Sequence, residues 1–509
     1  MNEFLARLRH PLFTRIVERL PSEPPTYLVG GAVRDALLGR SSFDLDFVTS
    51  GDALKVGRRL ADDLGGAYYP LDPQRNVARV ILRTAELGEE AISLQIKVDI
   101  SRIQGANLDE DLRRRDFTIN AMAVDAHQPV SIIDPLHGAN DLLKKNLRAC
   151  SVSSLSDDPV RILRGVRFSV DLGLKIMPET VDLMREAALH IASVSPERLR
   201  DELFRILVLA HPSTSLRLLD MLGVMEHMLP EVCLLKDLPQ GPPHVLDAWE
   251  HTLDVLNSLE SLLEVLAPQF DPDKASSLSL GLVALQLGRY RQHLAEHLES
   301  ALNPERPHRG LLFFAGVYHD VGKRIARSID DKGAIRFIGH DQVGIRLAEK
   351  RAQLLKLSNQ EISRLASIVG HHMRPSQLSH SQELPGRKAV YHFFRDTGVA
   401  GVDICLISLA DVLATYGASL SQDRWTRHIN VVRSLLGAWW EDREEKVLPP
   451  ALVDGDDLKI ELVLPPGPMI GYLLESIREA QVSGEVRNRA EALDLAREIA
   501  QANSMSSGD

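Results

Sequence analysis

"YLVGGAVRDALLGRSSFDLDFV" runs from Tyr27 to Val48. It holds a short apolar run, a Gly pair, a helix-forming segment and two aspartates one residue apart. In a strand, residues i and i+2 share a face, about 7 Å apart at the usual rise per residue. Asp44 and Asp46 therefore stand on one face, with Phe43, Leu45 and Phe47 on the other. Like charges so placed repel unless a cation lies between them, and hard divalent ions bind carboxylate oxygens. A third acid, Asp99, lies on the polar face of "LQIKVDI", opposite Leu94, Ile96, Val98 and Ile100. Three carboxylates on two strands suit phosphoryl transfer with two metal ions. Gly30 and Gly31 end a strand and open a helix, so backbone N–H groups can approach a phosphate. Arg34, one turn on, can add a guanidinium. A lone Asp-x-Asp reads better as solvated acids; the Gly pair and Arg34 turn it into a candidate site.

The chain has 509 residues, which predicts three or four domains. Its 44% apolar and 25% charged content is that of a soluble globular protein. A net charge of −11 excludes a general polyanion-coating protein, so any nucleic-acid contact falls to local basic patches. The three cysteines, Cys150, Cys233 and Cys405, show no metal-type spacing, and predict a reducing, cytoplasmic setting without disulfides. "MNEFLARLRHPLFTRIVERL" reads as an amphipathic helix without a signal peptide's apolar core. No apolar run reaches membrane-spanning length, so no membrane partner is expected.

The coarse plan is an N-terminal helix over residues 1–25, a mixed head over 26–150, and a helical neck and body over 151–235. "TYLV", "FDLDFV", "ARVILR", "LQIKVDI" and "NAMAVD" read as strands of the head. Pro159, Pro178 and Pro196 mark three helix starts. "KDLPQGPPHV" (236–245) reads as a linker. Residues 246–420 read as an all-helical, histidine-rich domain, and 421–509 as a helical tail ending in disordered "SMSSGD".

At this point four ordered motifs matter together: "LVGGAVRDALLG…FDLDFV", "RRDFTINAMAVD", "IIDPLHGANDLLKKNLR" and "DDPVRILRGVRF". In this order they resemble the bacterial-type (class II) tRNA nucleotidyltransferases, the CCA-adding enzymes and their poly(A) polymerase relatives. The resemblance spans residues up to about 210. It implies an α+β, polymerase-β-like head followed by helical neck, body and tail. It also implies template-free addition of CMP and AMP to the tRNA 3′ end from CTP and ATP with Mg2+. By it, Asp44 and Asp46 would hold Mg2+ with Asp99 as third carboxylate. Gly30, Gly31 and Arg34 would face the triphosphate, and Arg115, Asp116 and Asn120 the nucleotide. Asp158, Arg161 and Arg164 would read the base, an Arg donating to cytosine O2 and N3 and an Asp accepting from the amino group of C or A. Without the resemblance, Asp158 and Arg161 read as a helix-end salt bridge.

Two departures bear on the product. Many CCA-adding relatives carry a long flexible loop after the third-carboxylate strand, whereas "VDISRIQGANLDEDLRRRD" leaves only a few residues for it. In the family a short loop goes with enzymes that add CC only. "DPQRNVARVIL" stands where the poly(A) polymerase branch has a Gly-Arg-Phe-like signature.

The second half holds "WEHTLDVL", "VYHDVGK", "IGHDQVG", "VGHHMRP" and "SLADVLA", which resemble the HD superfamily. His251, His319, Asp320 and Asp411 would be its metal ligands. His340 and His371, or His372, would be the added ligands of binuclear members, suited to a second divalent transition metal. Lys323 would meet a phosphate. The resemblance implies a phosphohydrolase, with a degenerate helical scaffold as the alternative for this half. For the whole chain the alternatives to CCA addition are CC-only addition, poly(A) synthesis and an HD phosphohydrolase whose head only recruits RNA.

Overall fold

The computed structural model describes residues 11–83, 95–271, 275–303 and 306–506. Residues 1–10 of the expected N-terminal helix, and Leu94, lie outside the described residues; Pro11–Val17 is helical. The chain forms two compact units, residues 1–202 with 214–228, and 203–213 with 229–509.

The first unit is built on a seven-stranded sheet. Its strands are β1 (Thr26–Val29), β2 (Asp44–Thr49), β3 (Ala67–Asp72), β4 (Val77–Arg83), β5 (Gln95–Arg102), β6 (Ala123–Asp125) and β7 (Ile132–Ile133), in the order β3-β4-β5-β2-β1-β6-β7. β2 and β5 pair in parallel, and the other neighbours are antiparallel. β3 was not among the expected strands. It is an edge strand with little burial, and its register shifts between Pro70 and Asp72, so it shows no clean alternation. "NAMAVD" is strand only over Ala123–Asp125, because Thr118–Asn120 winds into a 3-10 turn.

Helix Ala53–Leu64 is N-capped by the Asp52 side chain and ends at Gly65, φ 73°. With helix Gly31–Leu38 it covers the apolar side of the sheet, enclosing Leu28, Phe47, Leu60, Val80, Val98 and Ile100. Full burial of each such side chain contributes roughly 1.5–3 kcal/mol. Helix Gly138–Leu143 presses against the Thr118–Asn120 turn so closely that a Cβ on Gly138 would lie 2.0 Å from the Thr118 carbonyl oxygen. Thr118 Oγ1 also donates to buried Asp141, 2.8 Å away. The turn that carries Asn120 is thus held twice by this one helix, through backbone contact at Gly138 and a hydrogen bond to Asp141.

Helices Arg161–Leu172, Pro178–Ala188 and Pro196–Val208 follow. The first begins at Arg161, after the Asp158–Pro159 pair.

The second unit is mainly helical. The stretch Ala400–Ser419, helix Ala400–Tyr416 and the turn after it, is long and apolar enough to cross a membrane by length and composition, but 78% of its apolar window is buried as core. The helix carries Asp403 and Asp411. Helices Ala248–Val265, His308–Tyr318 and Asn359–His371 pack on it. The region expected to be all-helical contains a hairpin of Ser328–Ile329 with Ile335–Arg336. Asp330 makes it, accepting from the Lys332 and Ala334 N–H groups beside Gly333 at φ 79°. Helices Gly455–Leu462, Pro468–Ser483 and Arg489–Ser506 enclose a separate apolar cluster around Leu458, Leu473, Ile477 and Ala492. Of the expected disordered "SMSSGD", residues 504–506 extend the last helix, and 507–509 lie outside the described residues.

Gly138→Ala is expected to lower stability by about 1–3 kcal/mol through overpacking against backbone that has no rotamer to change. Differential scanning calorimetry checks this, and an unchanged Tm would refute the close-approach argument.

Candidate functional site

In the first unit, sheet register brings the acids together. Parallel pairing sets Asp46 opposite Asp99 and Asp44 opposite Lys97. Leu45, Phe47, Val98 and Ile100 point into the core, while Asp44 is exposed and Asp46 and Asp99 are half-buried. Burial pushes the Asp46 carboxyl up; Arg115 opposes the rise, Asp99 and Asp44 add to it, and the outcome is about 6. Such a carboxyl gives up its proton readily in exchange for a cation. Asp44, Asp46 and Asp99 could therefore hold divalent metal.

A basic residue outside the expected set enters here. Arg79 on β4 lies directly across from Asp99 and donates from Nε and Nη2 to both of its oxygens, each at 2.8 Å. Its place was readable in principle, since Ala78, Val80 and Leu82 form the buried face of "VARVILR" and leave Arg79 on the other. What sequence lacks is the antiparallel register that puts it against Asp99.

The Gly pair adjoins these acids. Gly30 has φ +74°, and a Cβ there would lie 3.2 Å from Arg115 Nη1 and 3.5 Å from Asp46 Oδ2. Gly31 opens its helix, and Arg34 donates to Asn120 Oδ1 at 2.8 Å and to Asp35. Arg115 is steadied by Asp111 at 3.2 Å. Asn120 and the Phe117 N–H both donate to Asp116 Oδ1, and Arg164 donates to Asp116 Oδ2. Burial alone would raise Asp116, but Arg164 and these hydrogen bonds bring it down to about 2. Arg34, Arg164 and Arg167 also ring Phe168, their guanidinium carbons 4.9, 5.5 and 4.5 Å from its centroid.

The structure thus gathers Gly30, Gly31, Arg34, Asp44, Asp46, Asp99, Arg115, Asp116, Asn120 and Arg164 into one linked group. The expected base-reading residues are less unified. Asp158 Oδ2 accepts from Arg198 at 2.7 Å and lies 3.7 Å from Arg161. Arg161 donates instead to the carbonyls of Arg114 and Ser154. Arg198 was not anticipated, because its helix follows more than thirty residues later.

The second unit has its own cluster. His251 Nε2 lies 3.1 Å from Asp411 Oδ1 and 3.5 Å from Asp320 Oδ2, and His319 Nε2 lies 3.1 Å from Asp320 Oδ2. On the other oxygen, Asp320 Oδ1 faces His340 at 3.3 Å and His372 at 3.7 Å. His319, His340 and His372 each place Nδ1 on a backbone carbonyl, of Gly316, Phe337 and Val369, at 2.7–2.8 Å. That anchoring sets the tautomer and aims each Nε2 lone pair inward, as metal-bound histidines require. Burial lowers the His372 pKa to about 4, which keeps its ring neutral at pH 7. The inward Nε2 atoms of His251, His319 and His340 are buried without an aligned hydrogen bond among the described residues. These donors fit a divalent transition metal.

Two expectations change here. His372, not His371, joins the donors. Successive helical side chains point about 100° apart, and His371 faces a different pocket, with Nδ1 on the Ser367 carbonyl. Lys323 is not free for a phosphate: it is buried, 2.5 Å from Asp320 Oδ2 and donating to Gln240 at 2.6 Å. Gln240 belongs to the expected linker, as does His244, whose ring packs edge-on against His251. A further His297–His308–Asp403 group is closed by Arg364, 2.9 Å from the remaining Asp403 oxygen, and forms a buried ion network.

Known proteins match along most of the chain. The profile described as the poly A polymerase head domain matches residues 26–148. One described as a probable RNA and SrmB-binding site of polymerase A matches 173–235, and an HD domain matches 282–416. The A-adding tRNA nucleotidyltransferase of Deinococcus radiodurans is 31% identical over 94% of this chain and 97% of its own. The CC-adding tRNA nucleotidyltransferase of Thermus thermophilus is 30% identical over 91% of each chain. The solved Thermotoga maritima CCA-adding enzyme, complexed with tRNA, shares the fold at a TM-score of 0.56 and 20% identity, over 98% of this chain and 97% of that one. Similarity that runs nearly end to end, on the fold described above, makes this chain a member of the tRNA nucleotidyltransferase family.

Proposed function

We propose that this chain extends the 3′ end of tRNA with CMP and AMP taken from CTP and ATP. The observation that carries the proposal is the Asp46–Asp99 register, with Asp44 on the same face of β2. In this reading Asp44 and Asp46 hold Mg2+ and Asp99 is the third carboxylate. When bound, the ion offsets charge on the triphosphate and favours the ionised 3′-hydroxyl. The oxygen of that hydroxyl bonds to the α-phosphorus of the nucleotide. The bond from this phosphorus to the bridging oxygen breaks, pyrophosphate leaves, and the proton passes to solvent. The Gly30–Gly31 backbone and Arg34 orient the triphosphate. Arg115, Asp116 and Asn120 bound the nucleotide pocket, and Arg164, its plane set by Asp116, faces the base with Asp158 and Arg161. Cys150 and Cys405 form no disulfide among the described residues, in keeping with the cytoplasm, where we place the reaction.

CC-only addition is a second reading, favoured by one feature. Only Ile103–Asn107 join β5 to helix Leu108–Arg113, and this link is pinned: Gln104 N–H donates to Asp111 and Ala106 N–H to Glu110. A lever that must swing to admit ATP has little free chain here. For the second unit we propose a metal-dependent phosphohydrolase, supported by the three carbonyl-anchored imidazoles.

Transfer of labelled CTP alone, ATP alone or both, to tRNAs ending before the first C and after CC, tests the main reading. Asp44→Ala is expected to reduce incorporation to background; persistent incorporation would refute it. Incorporation of C without A by the wild type would establish the CC-only reading.

Asp46 gives a pH-dependent prediction. Its pKa rises from 3.8 to about 6 on folding. Below pH 4 the acid is protonated in both states, and no cost arises. The cost to the metal-free fold grows from pH 4 to 6 and is full above 6, on the order of 3 kcal/mol. Asp46→Asn should therefore raise the Tm in EDTA at pH 7.5, raise it much less at pH 4.5, and lose its advantage in saturating Mg2+. Arg79→Gln, which frees both Asp99 oxygens, is expected to lower the Mg2+ concentration for half-maximal transfer by roughly tenfold, equivalent to ~1.4 kcal/mol.

A further inference from the structure

The histidine–aspartate donors of the second unit open onto a cavity of about 840 Å3. That is the size of a small-molecule site. Asp320, His340 and His372 line one part of it; Tyr416, Arg424 and Arg427 line another. The two arginines sit three residues apart on the first turns of helix Gln422–Trp440, on one face. Ser421 caps that helix by accepting from the Arg424 N–H. The Arg424 guanidinium carbon lies 4.3 Å from the centroid of the Tyr416 ring, a cation–π contact.

Charge makes this wall distinctive. Both arginines are exposed to the cavity mouth, and neither makes an ion pair with an acid among the described residues. The cation nearest the donors, Lys323, is already committed to Asp320 and Gln240. Two guanidiniums without an acid partner thus share one cavity with a group of imidazoles and carboxylates. Guanidinium pairs bind phosphate oxygens through forked hydrogen bonds. Both residues also lie beyond the 282–416 stretch matched by the HD profile.

We propose that Arg424 and Arg427 form an anion-binding wall whose ligand is a phosphomonoester. Its phosphoryl oxygens lie between the guanidiniums and the His/Asp donors. Binding by this wall stands on its own, and turnover rests on the phosphohydrolase reading given above. In that turnover a water oxygen bonds to phosphorus, the ester P–O bond breaks, and the leaving oxygen takes the water proton, so alcohol and inorganic phosphate result. The ester can be a free nucleotide or an RNA 3′-phosphate, which offer the same dianion.

The test uses the full chain loaded with Mn2+. Calorimetry with inorganic phosphate, adenosine 3′-monophosphate and a short RNA bearing a 3′-phosphate compares the wild type with the Arg424→Ala/Arg427→Ala double variant and with Arg424→Lys. The double variant should lose at least tenfold in phosphate affinity with Mn2+ stoichiometry and Tm unchanged, and Arg424→Lys should keep part of it. The tighter of the two esters identifies the source of the dianion. Equal affinity in wild type and double variant, or no phosphate binding by the wild type, overturns the proposal. Release of phosphate from the two esters is followed in parallel. Arginine-dependent binding without hydrolysis supports the wall and retires the phosphohydrolase reading. Hydrolysis that is indifferent to both arginines does the opposite.

Discussion

The parallel pairing of β2 with β5 is the constraint on which the head depends. It sets two carboxylates side by side, Asp46 against Asp99, with Asp44 on the same face. Ionised together, such groups repel by several kcal/mol at an intermediate effective dielectric. They stay there because alternate residues of the same strands are core. Turning Asp46 away would expose Leu45 and Phe47. The apolar side of the sheet thereby stabilises an arrangement that electrostatics alone would scatter.

The protein meets this charge with guanidiniums of graded commitment. Arg79 grips Asp99 with a fork, Arg164 grips Asp116, and Arg115 is tethered to Asp111 beside Gly30. These pairs compensate acids that would otherwise resist burial, and they keep the arginine planes oriented. The second unit answers the same problem with different chemistry. Its Asp320 is surrounded by imidazoles and Lys323, and the charge of Lys323 and of His319, whose pKa Asp320 raises, holds the buried carboxyl below its ordinary value. Hard oxygen donors in one unit and mixed nitrogen–oxygen donors in the other suit different divalent metals.

The link between β5 and the following helix bears on the CC-only reading proposed above. The short, side-chain-pinned link between β5 and the following helix leaves few backbone torsions free to reshape the nucleotide pocket. Full-length relatives of this chain include both an A-adding and a CC-adding enzyme.

Sequence by itself determined the α+β head with its helical continuation, the polar and apolar faces of β2 and β5, and the order of the His and Asp motifs. These follow from side-chain periodicity and local backbone preference, which act over a few residues. Tertiary structure decided the rest. Arg79 meets Asp99 only through strand register, and Arg198 reaches Asp158 only through helix packing. His372 replaces His371 because of rotation at a helix end, and the supposed linker supplies Gln240 and His244 to a buried cluster. Edge strand β3 and the Asp330 hairpin escaped because one has no buried face to imprint a pattern and the other is made by a single side chain bonding its own turn. Contacts between residues far apart in the chain carry no periodic signature, so only the folded arrangement reveals which charges neutralise which.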